Sequence, residues 1–133
     1  MPKSKKPRRG ATMVEFAAVL PVLLLFTFAG IEFSRVNMIR NTAVNAAYEG
    51  ARKGIVPGAT ASECKRAAMH LLDMIDVSGA TAIVNPNTIQ PDTEQVTVTV
   101  TVPITKSNAF IAPEFFFGKN ITTSVTLPRE VMF

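Results

Sequence analysis

The stretch RRGATMVEFAAVLPVLLLFTF, residues 8–28, begins with two arginines and continues as a long apolar run with one carboxylate, Glu15. Residues 16–31 carry no charge at all. A membrane-spanning helix needs about 20 mostly apolar residues. We therefore predict one transmembrane helix over residues 11–34. Four residues mark this predicted span: Phe16, Pro21, Leu24 and Phe28.

The net charge of +4 is unevenly distributed along the chain. Five basic residues and no acidic residue precede Gly10, whereas the rest holds nine Lys/Arg against ten Asp/Glu. Basic residues just before a span favour a cytoplasmic N-terminus. We therefore predict a single-pass membrane protein with residues 35–133 outside the cytoplasm. In a cell with two membranes the span lies in the inner (cytoplasmic) membrane and residues 35–133 lie in the periplasm. Since the excess basic charge belongs to the first nine residues, nucleic-acid binding loses its main support.

Three interpretations of this N-terminus are compatible with its composition. It could be an ordinary secretory signal, cut after Ala29. It could be an uncleaved anchor with Glu15 held at the membrane interface. It could also be a leader that is cut on the cytoplasmic side, between Gly10 and Ala11.

The motif RRG-ATMVEF favours the third interpretation. It resembles the type IV prepilin signal, in which a short basic leader ends in glycine, a peptidase cuts there, and glutamate is the fifth mature residue. Gly10 precedes Ala11 here, and Glu15 is fifth when counted from Ala11. The longer stretch GATMVEFAAVLPVLLL is most similar to the TadE-like pseudopilins of tight-adherence (Flp-type) pili.

Two further stretches resemble the same family. AAYEGARKG, residues 46–54, is similar to the alanine-rich EGAR segment that follows the membrane helix in those proteins. LPRE near the C-terminus has Arg129 and Glu130 where the family has a terminal arginine and acid. Ala11 replaces the phenylalanine that begins many mature type IV pilins, so N-methylation of Ala11 is an open question.

The resemblance implies a role in assembly of a tight-adherence pilus. It divides the chain into a leader (1–10), a transmembrane helix (11–34) and a pilin-like periplasmic domain (35–133). The implied partners are a prepilin peptidase, other pilin or pseudopilin subunits, the pilus assembly platform and the inner membrane. Incorporation into the extracellular fibre, a priming role and retention in the membrane are all left open.

The resemblance also suggests a role for Glu15 in subunit assembly. Cleavage at Gly10 creates a new α-amino group on Ala11, and the carboxylate of a neighbouring subunit can neutralise this cation when helices pack. Charged side chains inside membranes are functional candidates by default. The alternative is that Glu15 lies in the headgroup region and stabilises the start of its own helix.

The pattern after residue 35 predicts an α+β domain. Apolar residues continue at helical spacing to Gly54, which suggests one helix over residues 11–54. Thr60 and Glu63 form a T-x-x-E capping box for a second helix. Three candidate strands follow at 80–84, 94–104 and 120–127, and the alternation in the last two predicts a small antiparallel sheet with one face buried. The second helix has an apolar face composed of Cys64, Ala67, Ala68, Leu71, Leu72 and Ile75.

The sequence gives no support for catalysis or for a cofactor. Cys64 is the only cysteine, so an intrachain disulfide cannot form, and its place on an apolar helix face predicts a buried free thiol. His70 is the only histidine and lies on a polar face with Asp73 and Asp76, too few ligands for a metal site. We therefore predict a protein that is not an enzyme, without a metal, a cofactor or a small-molecule substrate.

The phenylalanine-rich segment at residues 108–118 has two interpretations. It could fold under as a lid on the core, or it could be exposed and contact another subunit or the membrane surface. The candidate partner contacts in it are Phe110, Phe115, Phe116 and Phe117.

Overall fold

The computed structural model describes residues 9–105, 108 and 118–129. The elements are α1 (Arg9–Gly54), α2 (Ala61–Asp73), β1 (Thr81–Asn85), β2 (Gln95–Pro103) and β3 (Asn120–Pro128). The strands form one antiparallel sheet in the order β1-β2-β3. The predicted α+β fold, with a long helix, a second helix and three strands, is confirmed.

α1 is a single continuous helix of 46 residues. It passes through Pro21, which has no N–H to donate to the preceding turn, a defect that membrane helices tolerate. Arg52 and Lys53 occupy its last turn, where cations interact favourably with the helix dipole. At 1.5 Å per residue the helix is about 69 Å long, which is more than twice the thickness of a bilayer core.

The second half of α1 is the spine of the domain. It packs against α2 and against both β2 and β3. Its buried face consists mainly of small residues: Ile39, Ala43, Ala46, Ala47, Gly50, Ala51 and Gly54. Because these side chains are short, the helix axis can lie close to its neighbours.

Local signals at both ends define α2. Thr60 accepts a hydrogen bond from the Glu63 N–H, and the Glu63 carboxylate accepts one from the Thr60 N–H, so the predicted capping box is confirmed. At the other end the Val77 N–H donates to the Leu72 carbonyl while Asp76 adopts a φ of 54°. This left-handed residue closes a Schellman-type cap. The helix therefore ends at Asp73, and Val77 folds back onto the core.

The central strand β2 supplies the core of the sheet. Val96, Val98, Val100 and Val102 are fully buried beneath the helices. On the other face the hydroxyls of β2 pair with those of β3, as in Thr97–Thr126 at 2.8 Å and Thr99–Ser124 at 2.7 Å. The prediction of an antiparallel sheet with one buried face is thus confirmed: the valines of β2 face the helices, and its threonines lie on the opposite face.

Two polar contacts fix the end of the domain nearest the N-terminal half of α1. Arg35 donates to the carbonyl of Ile75 at 2.9 Å and so ties α1 to the end of α2. Asn108 is only 2% exposed and makes three side-chain hydrogen bonds of 2.8 Å. It accepts from the Ser78 N–H and donates to the carbonyls of Ser78 and Pro103. Its buried amide is therefore fully bonded.

Candidate functional site

The N-terminal half of α1 projects from the domain, and no other described part of the chain covers it. An 18-residue window within Gly10–Gly54 has the length and hydropathy of a membrane span, and none of it is buried. Met13, Phe16, Leu24 and Phe28 all expose large apolar side chains there. Among the described residues, α1 is the one helix with these properties. Its apolar surface must be covered by lipid or by other helices.

Gly10, Ala11 and Glu15 lie at the beginning of this exposed segment, within the helix. A Cβ added to Gly10 would have no atom within 4 Å. The fold itself therefore gives no reason for a glycine at position 10. Ala11 and Glu15 are four residues apart, which is about one helical turn or roughly 6 Å along the axis.

The EGAR stretch, residues 46–54, makes close contacts between α1 and the rest of the domain. A Cβ on Gly50 would lie 3.0 Å from the Cys64 carbonyl oxygen and 3.1 Å from the Cβ of Ala68. A Cβ on Gly54 would lie only 2.8 Å from Cγ1 of Val96. These glycines, at i and i+4, allow α1 to touch both α2 and β2. The segment is therefore the joint between the projecting helix and the domain.

A comparison with protein-family models matches residues 10–52 to a family described as TadE-like protein. It runs from the glycine of the predicted processing site through the projecting helix to the EGAR stretch. These residues form a TadE-like segment. The resemblance predicted from the motifs is confirmed for this segment, and it supports an interpretation as a membrane protein involved in pilus assembly.

No curated protein and no solved structure matches the chain. The TadE-like segment ends at Arg52, just inside the end of α1, so α2 and the sheet lie beyond the match.

The exposed charges around the joint do not form a site. Arg52 and Glu49 approach to 3.5 Å, but both side chains are exposed, and such pairs contribute little to stability. Hydrogen bonds from the Thr60 backbone and hydroxyl hold the pKa of Glu63 below its ordinary value. Within the described residues no group of three or more His, Cys, Asp or Glu is placed to hold a metal ion.

Cys64 is buried and unpaired, as predicted. Burial raises the pKa of its thiol, so the neutral form is favoured at ordinary pH. The sulfur packs beside Gly54 at the joint, where an added Cβ would lie 3.1 Å from it. Cys64 therefore serves as a small apolar side chain in the core, and packing is sufficient to explain its presence.

The candidate contacts Phe110, Phe115, Phe116 and Phe117 lie outside the described residues. The strand residues that flank this segment are described, and Pro103 pairs with Asn120 at the end of the sheet. One step further, the Ile104 N–H donates to the Lys119 carbonyl at 3.0 Å.

Sequence reasoning did not identify three of the contacts that build this region. The i, i+4 spacing of Gly50 and Gly54 was a usable signal, because glycines one turn apart in an alanine-rich helix indicate close packing. The Arg35–Ile75 and Asn108–Ser78 bonds join residues 40 and 30 positions apart. No local pattern in the sequence marks such pairs.

Proposed function

We propose that the chain is a pilin-like, single-span membrane protein that takes part in assembly of a tight-adherence (Flp-type) pilus. The observation that carries this proposal is the TadE-like match over residues 10–52. It contains the glycine–glutamate motif, the exposed apolar helix and the EGAR joint, all within α1. The role is structural and non-covalent, with α1 as the element that other subunits contact.

Processing is the first step in the proposed mechanism. A prepilin peptidase removes residues 1–10 by cutting after Gly10 on the cytoplasmic side. Since a side chain at Gly10 would meet nothing in the fold, the glycine is explained by the peptidase, which needs the space beside the scissile bond. The cut leaves the α-amino group of Ala11 at the start of a membrane-embedded helix.

Glu15 then pairs with the α-amino group of a neighbouring subunit. If one helix is displaced by about one turn along the other, the amine of the first lies level with the carboxylate of the second. In surroundings of low dielectric constant an unpaired charge is costly, and removing one partner of a buried pair typically costs about 3–5 kcal/mol. This pairing would favour one axial offset between neighbouring helices.

The proposed orientation follows from charge. The basic residues that precede the span hold the N-terminus in the cytoplasm. The domain that contains α2 and the sheet is then periplasmic. A phosphatase fused after Phe133 would be active in this orientation, and a reporter active only in the cytoplasm would be silent.

Recovery of partner pilins with Glu15→Gln tests the assembly role. The amide keeps the length and the span but cannot neutralise an amine, so crosslinking or co-purification with partner pilins should fall at least about tenfold, equivalent to 1.4 kcal/mol. Glu49→Gln is the matched control because it makes the same change at a half-exposed position in the part of α1 beyond the span. Equal recovery with wild type and Glu15→Gln would show that Glu15 only stabilises the start of its helix.

A further inference from the structure

The position of the domain along α1 determines how far it lies from the bilayer. α1 and β2 run side by side in opposite directions, since Gly54 faces Val96 and Gly50 faces Val98. Moving back along α1 toward the span therefore corresponds to moving forward along β2. Each position along β2 can therefore be matched to the α1 residue that lies at the same distance from the predicted span.

The far end of β2 lies only just beyond the predicted span. From Val96 to Ile104 there are eight strand steps of about 3.3 Å, or about 26 Å. At 1.5 Å per residue, the same distance along α1 leads from Gly54 back to about residue 36. Ile104 and its bonded partner Lys119 thus lie level with that point of the helix.

The span itself ends close to the same height. Residues 11–31 extend about 31 Å as a helix, which matches a hydrocarbon core of about 30 Å. The headgroup layer adds roughly 5–7 Å on each side, or about four residues of helix. Glu32, the first charged residue after the uncharged run, is only 3% exposed. Protein atoms therefore cover one face of α1 at the end of the span, whereas Ile31 and Phe33 on its other faces are exposed.

Hydrogen bonds tie together both sides of this end of the domain. Arg35 binds the carbonyl of Ile75, and Asn108 joins Ser78 to Pro103. The α2 side and the sheet side are thus both fixed at the same height. Because Arg35 of α1 is one of the donors, this end of the domain is bonded to the helix just beyond the predicted span.

We propose that this end of the domain rests on the headgroups of the bilayer that holds α1, with Lys119 in contact with lipid phosphate. Lys119 is exposed, and cationic side chains at membrane surfaces interact favourably with phosphate groups. Asp76 exposes a carboxylate on the α2 side, and lipid phosphate would repel it. The sheet side, with Lys119, is therefore the side that contacts the headgroups. The inference rests on the proposed insertion of α1 but not on a role in a pilus.

Paramagnetic relaxation in nanodiscs tests this contact. The purified full-length chain is placed in phosphatidylcholine–phosphatidylglycerol nanodiscs with nickel-chelating headgroups, and a spin label is attached at Asn120→Cys or Pro128→Cys. Both positions are exposed on β3 and about 26 Å apart along the strand, at opposite ends of the sheet. Cys64 is buried, so the unsubstituted chain serves as the labelling blank.

The label at Asn120→Cys should be relaxed at least about tenfold more strongly than the label at Pro128→Cys, given their separation. A third label at Leu24→Cys reports on insertion. If it is accessible to oxygen but not to a water-soluble chelate, and the two β3 labels relax equally, the domain stands away from the bilayer and the inference is wrong. If the Leu24→Cys label is in water, the span is wrong, and the proposed function fails together with the inference.

Discussion

Gly54 at the end of α1 lies directly against Val96 of the central strand. A Cβ on Gly54 would lie 2.8 Å from Cγ1 of Val96, closer than real Cβ atoms come. Val96 is fully buried in the middle strand of the sheet, so neither partner can easily move aside. This contact sets the distance between the projecting helix and the domain that it carries.

Gly54→Ala should destabilise the domain because the added methyl has no space. Overpacking of this kind costs about 1–3 kcal/mol, reduced by up to about 1 kcal/mol because alanine favours the helix. The measurement is thermal unfolding of the full chain in detergent, followed by circular dichroism. Gly30→Ala is the control, since a Cβ there meets nothing within 4 Å and should not lower the midpoint. Equal midpoints for the two variants would contradict the close contact.

Asn108→Ala should destabilise the domain through lost hydrogen bonds. The change leaves the Ser78 N–H and two carbonyls without their side-chain partner in a part-buried site. An unsatisfied buried polar group costs about 1–3 kcal/mol. Asn120→Ala, at an exposed position, should change the unfolding free energy by less than about 0.5 kcal/mol. If Asn108→Ala lowers the unfolding free energy no more than Asn120→Ala does, the Asn108 amide does not hold the end of the domain together.

The capping box of α2 should make stability depend on pH. The pKa of Glu63 is lowered, chiefly by the bond from the Thr60 backbone N–H, so folding favours the ionised carboxylate. This stabilisation is present above the ordinary pKa of 4.5 and is lost as the pH falls through the lower folded-state value. Wild type should therefore exceed Glu63→Gln in unfolding temperature at pH 7, and the difference should shrink in acid. A difference that is independent of pH would contradict the assignment.

Gly10→Val should block removal of the leader, because a peptidase site that accepts glycine has no space for a branched side chain. The fold should be unchanged, since position 10 is open in the structure. Intact mass of the protein from host membranes would detect the retained residues 1–10. The same substitution at Gly30, which is equally open, should be processed normally. Normal processing of Gly10→Val would rule out a prepilin-type cut at this site.

Local patterns were sufficient to predict most of the fold. Strict alternation in β2 indicated the buried face of the sheet, and the Thr60–Glu63 pair indicated where α2 begins, because both signals act between near neighbours in sequence. The end of α2 was harder to predict. The apolar spacing continued to Ile75 and suggested a longer helix, but the left-handed Asp76 lets Val77 fold back onto Leu72. Aspartate adopts that conformation less often than glycine, and the next glycine, Gly79, comes three residues later, so the sequence suggested a later end for α2.

For the candidate site, the sequence indicated the residues but a single chain cannot test their roles. The spacing of Gly10 and Glu15 was visible in the sequence, and the family match includes both residues. Their roles in cleavage and pairing involve a peptidase and a second subunit, so the fold of one chain does not test them. The contact of Gly54 with Val96 depends on how the sheet docks on α1, which no local pattern specifies.

The mass of the mature protein tests the central claim most directly. Purified from the membranes of its own host, the chain should begin at Ala11, as shown by intact mass and by the mass of its N-terminal peptide. A methyl group on Ala11 would add its own mass without altering this conclusion. A chain that retains Met1 would be a plain membrane anchor, and one that begins near Gly30 would be a secreted protein; either result would contradict the pilin-type account.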